Sequence, residues 1–297
     1  EGNFSILAAI EIAANNKVLK GQGAATTLTA ATDDISVVHI YSAGGVYSTK
    51  LEGFYVKGVA KASYGVDLEH ALYTRINNVR VDTCKTAGFR LLYNHSNFLT
   101  DCIANSNGTT GDSSTCGVLL GDATHASNNV GITNLIAEGN QTGVRIIHGY
   151  SIALIQPMIE STRYSAIDVQ ASAQGVVQCL DIIRSYCEAN NLAEAANTPD
   201  INIVGAYYVS IYNPFFSSLL TTKDIIVDTT SKYFALLHGC YSKGVTLSVS
   251  NPYVYGYPGA GIYISHKAST GTITAGNSSV VITHELSFTP AASDIVV

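Results

Sequence analysis

A short string recurs along the chain, made of glycine or a substitute, then apolar, any and apolar residues. It reads GVDL (65–68), GFRL (88–91), GVLL (117–120), GVRI (143–146), AIDV (166–169), DINI (200–203), DIIV (224–227), GVTL (244–247) and GIYI (261–264). Its period of two turns one face inward and predicts a β-strand at each site. A second pattern precedes most of these strings. The segments LEGFYVK, INNVRVD, LTDCIAN, ITNLIAE, LIQPMIE, IIRSYCE and IYNPFFS begin at Leu51, Ile76, Leu99, Ile132, Leu154, Ile182 and Ile211 and align without gaps. Counting the first residue as zero, positions zero, three and five are mostly apolar or small. Position two is mostly polar (Asn78, Asp101, Asn134, Gln156, Arg184, Asn213), and position six is polar throughout. An alternation broken in this way predicts a strand, a tight bend at the polar residue, and a second strand.

Successive segments start 25, 23, 33, 22, 28 and 29 residues apart. The underlying coil is therefore about 22–25 residues, and the excess lies in inserted loops. Helical repeats need a 3.6-residue period and strong helix formers, whereas these units are rich in Val, Ile, Tyr, Thr, Asn and Gly. The pattern predicts an all-β fold, a right-handed parallel β-helix in which coils stack about 4.8 Å apart. Its domain covers residues 1–267, with EIAANNKVLKGQG (11–23) as an N-terminal cap. Beyond about residue 268 the chain becomes Ser/Thr-rich, and residues 268–297 are expected to form a small C-terminal β-rich module.

Composition narrows the function classes. Charged residues make up 13% of the chain, yet no apolar run approaches the roughly 20 residues of a membrane helix, so membrane insertion is not expected. With a net charge of −6 and 16 Lys plus Arg there is no broad basic surface, which argues against nucleic acid as a partner. Cys84, Cys102, Cys116, Cys179, Cys187 and Cys240 show no CxxC and no metal-like grouping, so they read as small buried hydrophobes. Neither a metal nor a cofactor is expected. The start, EGNFSILAAI, has neither a basic segment nor a sustained apolar one and reads as the interior of a longer protein.

The coils and the tail GTITAGNSSVVITHELSFTPAASDIVV together resemble bacteriophage tailspikes and the wider pectin-lyase-like β-helix family over nearly the whole chain. The opening EIAANNKVLKGQG is similar to the first coil of pectin-lyase-like proteins. The resemblance implies a virion tail protein acting outside the bacterial cell, a homotrimer, and a bacterial surface polysaccharide, capsule or O-antigen, as partner. Catalytic motifs of the family are missing. A polygalacturonase-like enzyme would carry NTD, a paired DD and GHG on successive coils; here NTPD (197–200) is interrupted, DD (33–34) precedes the coils, and no GHG occurs. No acidic calcium cluster beside a catalytic Arg or Lys marks a pectate-lyase-like site.

Chemistry is expected instead at position six, which reads Lys57, Asp82, Asn105, Glu138, Glu160, Glu188, Ser217. In a parallel stack equivalent residues lie above one another, so Glu138, Glu160 and Glu188 form a column with backbones about 5 Å apart. Like charges this close raise one carboxyl pKa, as a general acid requires. Glycoside hydrolysis uses two carboxyl groups about 5 Å apart for retention or about 6.5–9.5 Å for inversion. Neighbours in the column fit the first spacing, and Glu138 with Glu188 roughly fits the second. Asp82 is a fourth candidate. Arg145, Arg163, Tyr164 and Tyr186, on or beside the glutamate coils, are candidates for holding sugar. The sequence predicts an endo-acting glycoside hydrolase; a non-catalytic receptor-binding spike, a structural or adhesin β-helix, and a polysaccharide lyase are the alternatives. Polar insertions after Asn105 and Glu188 are candidates to wall a groove. Tyr253, Tyr255 and Tyr257 alternate, which suits sugar stacking or a subunit interface. His70 and His148 share an offset after their strands, with Tyr93 and Asp122 at that offset between them, and read as polar turn residues.

Overall fold

The computed structural model describes residues 2–171, 175–195, 198–221, 223–237, 244–248, 253–255, 262–266 and 269–273. Cys240, Tyr257 and the tail beyond Ile273 lie outside the described residues. Each coil contributes strands to three outer faces. The first face holds Asn94–Thr100, Ser127–Thr133, Gly149–Ile155, Val177–Ile183, Ala206–Tyr212 and Lys232–Leu237. The second holds the short strands Ile103–Asn105, Ile136–Glu138, Met158–Glu160, Tyr186–Glu188 and Phe215–Ser217. The third runs from Ile10–Ile12 through Ser36–Ile40, Tyr64–Glu69, Ala87–Leu92, Cys116–Leu120 and Thr142–Ile146 to Ile262–His266. Neighbouring coils pair in parallel, the architecture of a β-solenoid. Parallel order ends where Ile262–His266 pairs with Ser269–Ile273 in antiparallel fashion.

The sequence register is the structural register. Val66, Phe89, Val118, Val144, Ile167, Ile201, Ile225, Val245 and Ile262 pair in one column, and those from Val66 to Val245 are fully buried. The bend foreseen at position two is a left-handed residue on every one of these coils: Gly53 (φ 63°), Asn78 (50°), Asp101 (52°), Asn134 (54°), Gln156 (53°), Arg184 (54°) and Asn213 (50°). One such residue turns the strand from the first face to the second. Asn, Asp and Gly tolerate this conformation, which explains the polar column. Hydrogen bonding between coils continues through the bend, as Asn134 N–H donates to Ile155 O at 2.9 Å and Gln156 N–H to Ile183 O at 2.7 Å.

A second turn, after position six, carries a buried polar ladder. Asn140 Oδ1 accepts the Asn107 N–H at 2.9 Å, and its Nδ2 donates to Ala104 O at 2.7 Å. Asn107 repeats the arrangement one coil earlier with the Cys84 N–H at 3.0 Å and Val81 O at 3.3 Å. The ladder accounts for the glycine that opens the third-face string. A Cβ on Gly117 would sit 2.8 Å from Gly143 O and 3.0 Å from Asn140 Nδ2, leaving room only for hydrogen.

Two coils place aspartate in the glycine position. Asp200 and Asp224 are both fully buried. Asp200 accepts hydrogen bonds from Ser218 Oγ at 2.6 Å, Asn190 Nδ2 at 2.8 Å and Thr221 Oγ1 at 3.3 Å. Burial outweighs these donors and, with Asp224 nearby, pushes the Asp200 carboxyl up to about 7. The folded chain thus keeps a proton that the unfolded chain releases near the ordinary value of 3.8. Stability therefore falls as pH rises from about 4 to about 7, by up to about 1.4 kcal/mol per pH unit, and levels off above. Asp200→Asn, neutral throughout, flattens this stretch of the curve. Denaturant titrations at about pH 4, 6 and 8 read the difference, and an unchanged slope in the variant would refute the assignment.

Among the described residues five cysteines are free thiols. Cys84, Cys102, Cys116 and Cys187 are buried as expected, but Cys179 is exposed. It occupies an outward left-handed bend (φ 55°) on the first face, in a column with Ser151 and Tyr208.

Candidate active site

Position six forms one outward column. Asn105 pairs with Glu138, Glu138 with Glu160, Glu160 with Glu188, and Glu188 with Ser217. The backbone is fixed from below and above: Gly139 N–H donates to Glu160 O and Ser161 N–H to Glu188 O, each at 3.0 Å. Gly139 (φ 65°) and Ser161 (54°) are again left-handed, so the chain turns inward immediately after each glutamate and leaves its side chain at the corner. Rigid elements of this kind hold catalytic groups within the tolerance chemistry needs.

The three carboxyls differ in surroundings. Glu138 is exposed, whereas Glu160 and Glu188 are half-buried. Glu160 stands in the middle, and its carboxyl is raised above the usual range, first by burial and then by the charges of Glu188 and Glu138. Glu188 accepts a hydrogen bond from the Tyr186 hydroxyl at 2.5 Å. That bond is the main reason the phenol is pushed up to about 12, and it fixes the direction of the Glu188 carboxyl. A carboxyl raised above its usual range beside one held in a fixed orientation is the pairing that acid and base roles demand.

Beside the acids runs a second outward column, at position four: Ile136, Met158, Tyr186 and Phe215. Tyr186 and Phe215 stack with centroids 5.1 Å apart and planes within 3°. Their rings and the Met158 side chain make an apolar strip two residues from the carboxylates, suited to the C–H face of a sugar. Met158 and Phe215 were not singled out in the sequence. The position-four column carries them, and alternation alone directs it outward.

The other sequence candidates lie elsewhere. Asp82 is separated from the glutamates by Asn105 and is nearly buried, held by Arg80 Nη2 at 2.7 Å and the Tyr55 hydroxyl at 2.5 Å. Its carboxylate is already paired with Arg80. Arg145 is on the third face, where cross-strand register places it against Asp168, and the two form an ion pair at 3.0 Å. Arg145 also donates to Ser113 O at 3.0 Å. Tyr164 donates its hydroxyl to Gly111 O at 3.1 Å. Tyr164 and Asp168 line a cleft of about 300 Å³ on the third face, walled by Ser113 from one polar insertion and by Ala195, Thr198 and Pro199 from the other. The two insertions thus meet, as their composition suggested, but across the turn from the glutamates. Arg163 is exposed on that turn, and its backbone N–H donates to Asn140 O at 2.9 Å. Among the described residues no group of three His, Cys, Asp or Glu is arranged to hold a metal ion.

No family model matches the chain, and no curated protein matches its sequence. Solved structures do. ORF18 of Geobacillus virus E2 superposes with a TM-score of 0.53 at 12% identity, over 90% of this chain and 52% of its own. PfbA, a surface adhesin of Streptococcus pneumoniae, gives 0.51 at 10% identity over 96% and 90%. The fold that these matches share with the chain is the parallel β-helix. The A-module of the mannuronan C-5 epimerase AlgE4 of Azotobacter vinelandii shares that β-helix with a TM-score of 0.50 at 10% identity, over 94% and 88%. The chain spans about half the length of the viral protein. A viral protein, an adhesin and an epimerase on one β-helix show that function lies in the site carried on the coils.

Proposed function

We propose that the chain is a tailspike-like protein that binds a bacterial surface polysaccharide, capsule or O-antigen, along its second face and hydrolyses it at the glutamate column. The observation that carries this reading is the stacking of Glu138, Glu160 and Glu188 on successive coils beside an apolar strip. Glu160, whose carboxyl is raised above the usual range by burial and by its neighbours, acts as general acid on the glycosidic oxygen. Glu188, oriented by Tyr186, acts on the anomeric carbon. Adjacent coils set the two backbones about 5 Å apart, which lets the carboxyls approach the separation of a retaining enzyme. An acidic column repels polyuronates, which favours an uncharged or weakly charged polymer and ranks hydrolysis above lyase chemistry. The same reading makes the protein a homotrimer on a virion tail.

The test is incubation with a panel of capsular and O-antigen polysaccharides, with products read by mass spectrometry and NMR. Hydrolysis adds one water per cut and, through the Glu160–Glu188 pair, releases the anomer of the starting linkage. An unsaturated product absorbing in the ultraviolet marks elimination instead, and an inverted anomer moves the chemistry to Glu138 with Glu188. Binding to a polysaccharide that is never cut would leave a receptor-binding spike.

A further inference from the structure

The corner where third-face strands turn back into the first face carries a run of rings that the glutamate column does not use. His39 stacks on Tyr41 (5.6 Å), Tyr41 meets His70 edge-on (5.9 Å), His70 packs on Tyr93 (4.2 Å), and Tyr93 meets His125 edge-on (5.8 Å). Beside His70 and Tyr93 of this run lies an open cleft of about 450 Å³, lined also by Gly45, Tyr47, His95 and Asn128 among others. This is within the size range of small-molecule sites. We propose that this cleft is a second saccharide-binding site, separate from the glutamate column, that takes an uncharged sugar ring.

Backbone conformation is the first support. His70 (φ 54°), Tyr73 (56°) and Tyr93 (52°) all sit in the left-handed region. A bulky side chain there costs about 1–2 kcal/mol, which Gly or Asn avoids. Asn129 (51°) and Gly53 (63°) show the cheaper choice at other bends of the same fold. The core gains nothing in return, because Tyr73 and Tyr93 are 53% and 55% exposed. His70 and Tyr93 keep this costly conformation on the lining of the cleft, where a ligand would meet their rings.

Polar chemistry selects the ligand class. Asn128 Oδ1 is buried and has no hydrogen-bond partner among the described residues. Asn128 itself lines the cleft, and a rotation of its side chain would bring this oxygen to a sugar hydroxyl. Tyr47, 40% exposed, and Tyr93 offer ring faces for the C–H side of a pyranose. Among the described lining residues there is no carboxylate, lysine or arginine. A phosphorylated or strongly anionic ligand would find no counter-charge, and a purely apolar one would leave Asn128 and the hydroxyls unpaired.

This inference does not depend on hydrolysis, and the experiment separates the two. The full chain is titrated with a panel of uncharged glucan, galactan and O-antigen oligosaccharides, and binding is read by saturation-transfer NMR. Variants are Tyr47→Ala, Tyr93→Ala, Tyr93→Phe and Glu160→Gln, each checked for an unchanged unfolding midpoint. At least one oligosaccharide should bind the wild type, bind Tyr47→Ala and Tyr93→Ala at least tenfold more weakly, and bind Tyr93→Phe and Glu160→Gln as well as the wild type. The two tyrosines lie on different coils, so damage to one coil cannot produce both losses. Absence of binding by the wild type overturns the proposal, as does full binding by both alanine variants. Loss in Glu160→Gln alone overturns it too and assigns the sugar to the glutamate column. Polysaccharide cleavage that survives in Tyr93→Ala leaves the hydrolytic reading intact whichever way the binding falls.

Discussion

Glu160→Gln lowers kcat on a cleaved polysaccharide by about 10²–10⁴-fold with little change in KM, the range associated with losing a general acid or base. The amide keeps the shape of the side chain and removes its titrating proton. Glu160 is singled out because burial and both neighbouring carboxylates favour its protonated form. A general acid works only while protonated, so wild-type activity falls as pH rises through the raised Glu160 value. That alkaline limb is lost in the variant. Glu188→Gln should cost a similar factor, and Glu138→Gln, exposed at the end of the column, the least. Steady-state kinetics across pH decide the matter, and losses below tenfold in all three variants place the chemistry elsewhere.

The second large effect concerns stability. Asn140→Ala is expected to destabilise the fold by about 3–6 kcal/mol, because it strands several buried backbone and side-chain groups at about 1–3 kcal/mol each. Asn140 is fully buried, accepts the Asn107 N–H and Nδ2 at 2.9 and 3.1 Å, and donates to Ala104 O. Alanine satisfies none of these, and the resulting hole lies against Gly117, which has no side chain to fill it. Coils contact only their neighbours, so the loss weakens the stack at the coil that carries Glu138. Urea unfolding followed by circular dichroism measures it. A change below about 1 kcal/mol would show that the ladder is not what holds the turn.

Much of this arrangement was legible because a parallel stack converts sequence period directly into columns. The break at position two identified the left-handed bend, since a backbone that must adopt positive φ selects Asn, Asp and Gly. Position six identified the glutamate column, since seven gap-free segments fix the register that stacks them. What lay outside the repeat was harder to place. Arg145 is close to Glu138 along the chain but points outward from the third face, where Asp168 lies opposite it. Sequence distance within a coil does not report which face a residue joins. Asp82 fits the column by spacing, yet Arg80 on its own strand pairs with it and Tyr55 one coil away donates to it. Tyr164 is drawn from the glutamates by the insertion bearing Gly111, and the path of a loop is not written in a strand period. Cys179 read as buried from its residue type, but it occupies an outward bend of the first face.

A crystal structure of the Glu160→Gln variant with an oligosaccharide drawn from its cleaved polysaccharide tests the central claim most directly. The sugar should lie along the second face, with one ring on Tyr186 and Phe215 and the scissile oxygen within hydrogen-bond reach of residue 160. A chain bound between the two polar insertions of the third face, with the glutamate column facing empty solvent, would contradict it.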